Sequence, residues 1–209
     1  MVNEKLSFLK NIADYYAEKV TLYGETPKGV DWNGFESQHL RFEQLIKVIQ
    51  SKDSVSINDL GCGYGAFYDF ISEKYSSVHY CGFDVSDAMI SSAKERFINK
   101  SNVRFIREDK PDQIANYTIA SGIFNVRLDC SDDIWIKHIE DTLRVMDRYS
   151  SQGFAFNCLT AYSDKEKMKK HLYYANPSDL FDFCKSSFSR NVALLHDYDL
   201  YEFTILVRK

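Results

Sequence analysis

A chain of 209 residues, 44% hydrophobic and 15% aromatic, is long enough to bury one core and too short for several. Its formal charge of −4 disfavours a protein that grips nucleic-acid phosphates, which needs a basic face. No stretch reaches membrane-spanning length, and no apolar N-terminal segment precedes a small-residue cleavage site, so a cytoplasmic location without a membrane partner is expected.

The chain opens with two predicted helices. Between Lys5 and Val20 the apolar residues Leu6, Leu9, Ile12, Ala13 and Tyr16 recur every three or four positions, as one helix face requires. A loop marked by Gly24, Pro27, Gly29 and Gly34 leads to a second helix over Glu36–Ile49. The period then changes. Strands are predicted at Val55–Leu60, Val78–Phe83, Val103–Arg107, Tyr117–Phe124 and Gly153–Leu159, with helices at Ala66–Lys74, Asp87–Asn99 and Asp132–Tyr149. Strands alternating with helices imply right-handed crossovers and a mostly parallel sheet. The run Lys165–Lys170 reads as a solvated face on a short helix. Val192–Tyr198 and Tyr201–Val207 are strand patterns separated by Asp199 and Leu200 alone, too short a link for a crossover, so they must pair antiparallel.

The segment Asp59-Leu60-Gly61-Cys62-Gly63-Tyr64-Gly65 leaves the first strand and opens a helix. Glycines here allow tight dihedrals and let a ligand approach the backbone. Gly61, Gly63 and Ala66 also satisfy a dinucleotide fingerprint. Asp59 argues against that reading, because its carboxylate would repel a pyrophosphate seated on the helix N-terminus. An adenosyl cofactor without phosphate, carrying an ammonium and a sulfonium, suits the acid. Asp84 ends the next strand, 25 residues after Asp59 (84 − 59), where a carboxylate can accept both hydroxyls of a ribose. Its alternative is a helix cap, a role Ser86 is equally placed to take.

DLGCGYG from Asp59, GFDVSDAMI from Gly82, and a third strand ending in an acid resemble the class I S-adenosylmethionine-dependent methyltransferases. The resemblance covers roughly residues 54–209. It implies a Rossmann-like α/β fold with a seven-stranded, mostly parallel sheet, an antiparallel last strand and helices on both faces. Residues 1–53 then form a helical cap, joined to 54–209 as one compact unit. It further implies that Asp59, Gly61, Cys62 and Gly63 line the methionine end of S-adenosylmethionine and that Asp84 holds the ribose. Val85 and Met89 would flank the adenine, Asp109 (with Glu108 adjacent) would meet its amino group, and Ser121 or Gly122 would stand beside the sulfonium.

Acceptors are expected beyond the carboxyl ends of the strands. His196 is the candidate general base, with a core or turn histidine as its alternative; Asn125 is a candidate acceptor contact or a turn former. Arg127 suits an acidic substrate or a surface ion pair. The long connection after the fifth strand, with Tyr162, Tyr173 and Tyr174, and the N-terminal Tyr23, Trp32, Gln38 and Arg41 are candidates for a lid. Phe188–Tyr198 also looks like bacterial methyltransferases found among surface-polysaccharide genes.

The leading expectation is methyl transfer to an O or N atom of a small polar metabolite by a monomer or homodimer. A non-catalytic cofactor-binding module and an NAD-dependent oxidoreductase are the alternatives. No metal is implied: the five histidines form no ligand pair, and the five cysteines have neither zinc nor redox spacing.

Overall fold

The computed structural model describes residues 2–51 and 54–209, with side chains from residue 7 onward inside the first helix. The Leu6 side chain, expected on an inward helix face, and Asp53, expected to end the cap, fall outside what is described. The helices are α1 (Val2–Tyr23), α2 (Phe35–Leu45), α3 (Ala66–Ser72), α4 (Asp87–Arg96), α5 (Asp132–Arg148) and α6 (Pro177–Ser187). The strands are β1 (Ser54–Leu60), β2 (Ser77–Asp84), β3 (Val103–Arg107), β4 (Ala115–Ala120), β5 (Ser150–Leu159), β6 (Asn191–Leu195) and β7 (Glu202–Arg208).

They form one seven-stranded sheet in the order β3-β2-β1-β4-β5-β7-β6. β1 to β5 pair in parallel, while β7 runs antiparallel to both β5 and β6. This is the Rossmann-like α/β architecture with an antiparallel last strand. Alternate strand residues feed two cores. Ile57, Tyr117 and Ile119 meet Phe42 of α2, Phe67 of α3 and Ile90 of α4 on one face. Phe83, Phe154 and Ile205 meet Ile12 of α1, Trp135 and Ile139 of α5 and Leu180 of α6 on the other. In α5 the buried residues Trp135, Ile139, Leu143 and Met146 fall three or four apart, and each such side chain stabilises by roughly 1.5–3 kcal/mol.

Five expectations change. The fourth strand stops at Ala120 rather than Phe124, because Gly122 turns the chain at φ 77°. Ser121 and Gly122 therefore lie in the loop after β4. β6 stops at Leu195 and β7 starts at Glu202, so six residues join them, with Asp199 at φ 53°. The second helix ends at Leu45 in a 3-10 turn over Ile46–Val48, and Lys165–Lys170 holds a 3-10 turn at Lys165–Lys167. Finally, α6 occupies part of the long connection. Asn176 caps it by accepting from Ser178 N–H, Pro177 takes its first turn, and Leu180 and Cys184 face the core.

Candidate functional site

The carboxyl ends of β1, β2 and β4 open onto one cleft, lined by the glycine loop, Asp84, Val85, Met89, Asp109 and Ser121 among others. Gly61, Gly63 and Gly65 have φ of 70°, 54° and 87°, the left-handed region that favours glycine. A Cβ on Gly61 would lie 2.1 Å from the Ile123 side chain. Gly63 N–H donates to Asp84 Oδ2 at 2.9 Å and Ser86 N–H to Asp84 Oδ1 at 2.8 Å. Ser86, not Asp84, caps α4 through its hydroxyl and Met89 N–H. Asp84 is thus left to face the cleft, and its burial pushes its pKa up against the pull of those backbone N–H groups. Glu108 and Asp109, adjacent and exposed, both line the cleft. Among the described residues Ser121 Oγ, at the other end, is buried without a hydrogen-bond partner. A polar group waiting there and a backbone bared by glycines fit an adenosyl ligand with a polar amino-acid end.

Asp59 is buried and accepts from Tyr80 Oη, a partner the sequence did not suggest. Burial, reinforced by the Asp84 charge and opposed by the Tyr80 hydrogen bond, raises its pKa to about 7. The folded value lies above the unfolded one, so the stability this group contributes is complete below about pH 4 and is lost as pH rises through about 7. A cation entering the cleft favours the carboxylate and reverses the penalty. Affinity for S-adenosylmethionine should therefore fall by up to about tenfold per pH unit below 7 and level off above it. Calorimetric titration across pH 5.5 to 8.5, roughly bracketing that value, checks this; a flat profile, or a slope that survives in Asp59→Asn, counts against it.

The N-terminal segment contributes a wall of the cleft. Leu9, Ile12 and Tyr16 of α1 and Val30 and Trp32 of the following loop line it. Trp32 is clamped. The Arg41 guanidinium stacks on it at 3.9 Å from the ring centre, and the ring also lies against Gly122, where a Cβ would come within 2.4 Å of it. Arg41 is itself buried against β7: Nε and Nη2 each reach a Glu202 carboxylate oxygen at 2.8 Å. Asn157 Nδ2 also donates to Glu202, and Asn157 Oδ1 accepts Gly122 N–H at 2.8 Å. One buried network therefore holds both the ring against Gly122 and the Gly122 peptide itself. Glu202 and Asn157 were not anticipated, although a glutamate opening the apolar run Phe203–Val207 was a visible signal.

A second cavity of about 730 Å³ adjoins the cleft across a shared wall of Tyr16, Val30, Trp32 and Gly122. Tyr23, Arg41 and Asn125 line it. Asn125 is buried and committed: its Oδ1 accepts Leu159 N–H at 3.0 Å and its carbonyl accepts Tyr173 N–H at 2.8 Å. Leu172 and Tyr174, on either side of that pairing, line the cavity. Tyr173 instead lines a shallow surface hollow with Arg127, whose Nε stands 3.4 Å from Asp132. Tyr162 is 72% exposed, and His196, past the end of edge strand β6, is exposed beside it with ring centres 5.9 Å apart. Neither lines the cleft or the adjoining cavity. Among the described residues no group of three His, Cys, Asp or Glu side chains gathers as a metal site.

Residues 57–149 match the Methyltransferase domain family. The Rv1506c protein of Mycobacterium tuberculosis, itself provisionally described as a methyltransferase, is 52% identical over 164 residues, covering 78% of this chain and 99% of that protein. The chain belongs to the class I S-adenosylmethionine-dependent methyltransferases. Solved structures agree on the fold of this methyltransferase. DhpI, crystallised with S-adenosylhomocysteine, superposes with a TM-score of 0.68 at 13% identity, covering 96% of each chain. The N-methyltransferase NodS of Bradyrhizobium japonicum, with the same compound bound, gives 0.64 at 13% identity, covering 97% of this chain and 98% of its own. Among the described residues of this methyltransferase no helix is long and apolar enough to cross a membrane.

Proposed function

We propose that the methyltransferase moves the methyl group of S-adenosylmethionine to an O or N atom of a small polar molecule that enters through the cavity beyond Trp32. The shared wall carries this reading: Tyr16, Val30, Trp32 and Gly122 border both the cleft and the cavity, so donor and acceptor can meet across it. When bound, S-adenosylmethionine supplies a methyl group on a positively charged sulfur. Asp59, Gly61, Cys62 and Gly63 would take its amino-acid end and Asp84 its ribose. Val85, Met89 and Asp109 would surround the adenine, and Ser121 and Gly122 would lie at the sulfur. Methyl transfer of this kind is an in-line displacement, and most of its acceleration can come from holding the acceptor at the right distance and angle. Residues 1–53 act in this reading as a helical cap on the unit formed by 54–209, with Trp32 excluding water between the two ligands.

Trp32→Ala is accordingly expected to raise the apparent KM for the acceptor about tenfold while folding survives, since its ring is only half-buried. Steady-state kinetics with a melting curve reads this; an unfolded variant would show that the ring is a structural anchor instead. The function itself is tested by incubating the purified protein with S-adenosylmethionine and sets of small polar acceptors, including sugars and nucleotide-linked sugars. Acceptor-dependent formation of S-adenosylhomocysteine, seen by mass spectrometry, supports it. Tight cofactor binding without turnover on any acceptor points to a binding module.

A further inference from the structure

The acceptor cavity departs from the acidic character of the chain. Five cations line it, Lys19, Lys28, Arg41, Lys167 and Lys169, against the three acids Asp31, Asp199 and Glu202. Two of those acids are already committed. Glu202 is paired with Arg41, and Asp31 accepts from Lys19 Nζ at 2.8 Å and Tyr15 Oη at 2.7 Å. Lys167 is held at the rim by Asp164 at 3.0 Å and by Tyr201 Oη at 2.8 Å. Lys28 and Lys169 remain. Among the described residues neither side chain has an ion-pair or hydrogen-bonding partner, and both are exposed toward the cavity they line. They come from different segments, Lys28 from the cap loop and Lys169 from the connection after β5. The charge of Lys169 is felt at the cap loop. Burial pushes the Asp31 carboxyl up, yet the Lys19 and Tyr15 contacts together with the Lys169 charge hold it below its usual range.

We propose that this cavity takes an anionic acceptor, bearing a carboxylate or a phosphate, whose charged group is held between Lys28 and Lys169. The proposal rests on the reading of the cavity as the acceptor site. An ammonium on a flexible stem suits such a group as a point charge with three donors. Tyr23, Tyr174 and Tyr201 add ring faces for the rest of the molecule. Asp199, the third acid, does not balance both lysines.

The test titrates the S-adenosylhomocysteine-loaded protein with malonate and, separately, with inorganic phosphate, using sodium chloride at matched ionic strength as reference. Saturable binding of either anion is expected, weakened about tenfold or more in the double variant Lys28→Gln/Lys169→Gln. The charge-matched control Lys100→Gln/Lys165→Gln, altered outside the cavity, should bind like the unaltered protein. Tighter binding of phosphate assigns a phosphorylated acceptor, and tighter binding of malonate a carboxylic acid. No saturable binding of either anion, or equal binding by the double variant, overturns the proposal while S-adenosylhomocysteine binding stays intact. Failure of the unaltered protein to bind S-adenosylhomocysteine would instead remove the cofactor reading, and the proposal with it.

Discussion

Asp84→Ala is expected to weaken S-adenosylhomocysteine binding by about a hundredfold. Hydrogen bonds to a charged group contribute about 1.5–3 kcal/mol each, and the carboxylate in the proposed site would accept two from a ribose. Two such bonds together correspond to about a hundredfold or more. The same carboxylate anchors the loop, since Gly63 N–H and Ser86 N–H both donate to it, so its removal also frees the glycine backbone that shapes the cleft. Asp84→Asn separates the two contributions: one amide oxygen still accepts from the backbone, while the charge is gone. An intermediate loss for Asn, with Ala much worse, fits the dual role. Calorimetry measures both variants, with melting curves to show that each is folded. A loss of less than about threefold in Asp84→Ala would mean that the ribose is held elsewhere.

The parallel strands were legible in the sequence because burial on both faces writes them as continuous apolar runs bounded by glycines and acids. The glycine loop and Asp84 were legible for a different reason: a backbone that must approach a ligand admits few residues. Where the fourth strand ended was not, since Ile123 and Phe124 continue the apolar pattern although Gly122 has already turned the chain. Phe124 is buried in the turn, where its carbonyl accepts from Trp135 Nε1, and pattern alone does not distinguish that burial from a strand's. The sequence marks the start of α6 only by the capping pair Asn176-Pro177, within a connection that carries no long apolar period.

The proposed acceptor side is hardest to read because its residues meet only through tertiary packing. Arg41 and Glu202 stand 161 positions apart, and the cap loop carrying Lys28 is likewise far along the chain from the connection carrying Lys169. His196 reads from sequence as an ionisable group at a strand tip. β6 is an edge strand, however, and His196 just beyond its end is exposed to solvent before β7 begins. Conversely, Tyr173 and Tyr174 looked equivalent, and only the pairing of Tyr173 N–H with the Asn125 carbonyl decides which of them faces the cavity.

Glu202→Ala is expected to be the most damaging change to stability. The Arg41 guanidinium is buried and loses both of its carboxylate contacts, and Asn157 loses its acceptor. Breaking a buried pair by removing one partner costs about 3–5 kcal/mol, because the remaining charge stays out of water. For a chain of this size that is a fall of about 6–20 °C in melting temperature. Removing both charges together has a different consequence. Arg41→Leu/Glu202→Leu leaves no stranded ion, and such replacements are often neutral or stabilising. The double variant should therefore melt close to the unaltered protein, yet it should not recover normal turnover. Its Trp32 has lost the guanidinium that stacks on it, and Asn157 has lost the carboxylate that orients its hold on Gly122. A restored melting temperature with a raised acceptor KM would separate the two roles of the network. Restoration of both would reduce Arg41 and Glu202 to a packing device and leave the wall between the two cavities to stand on Trp32 and Gly122 alone.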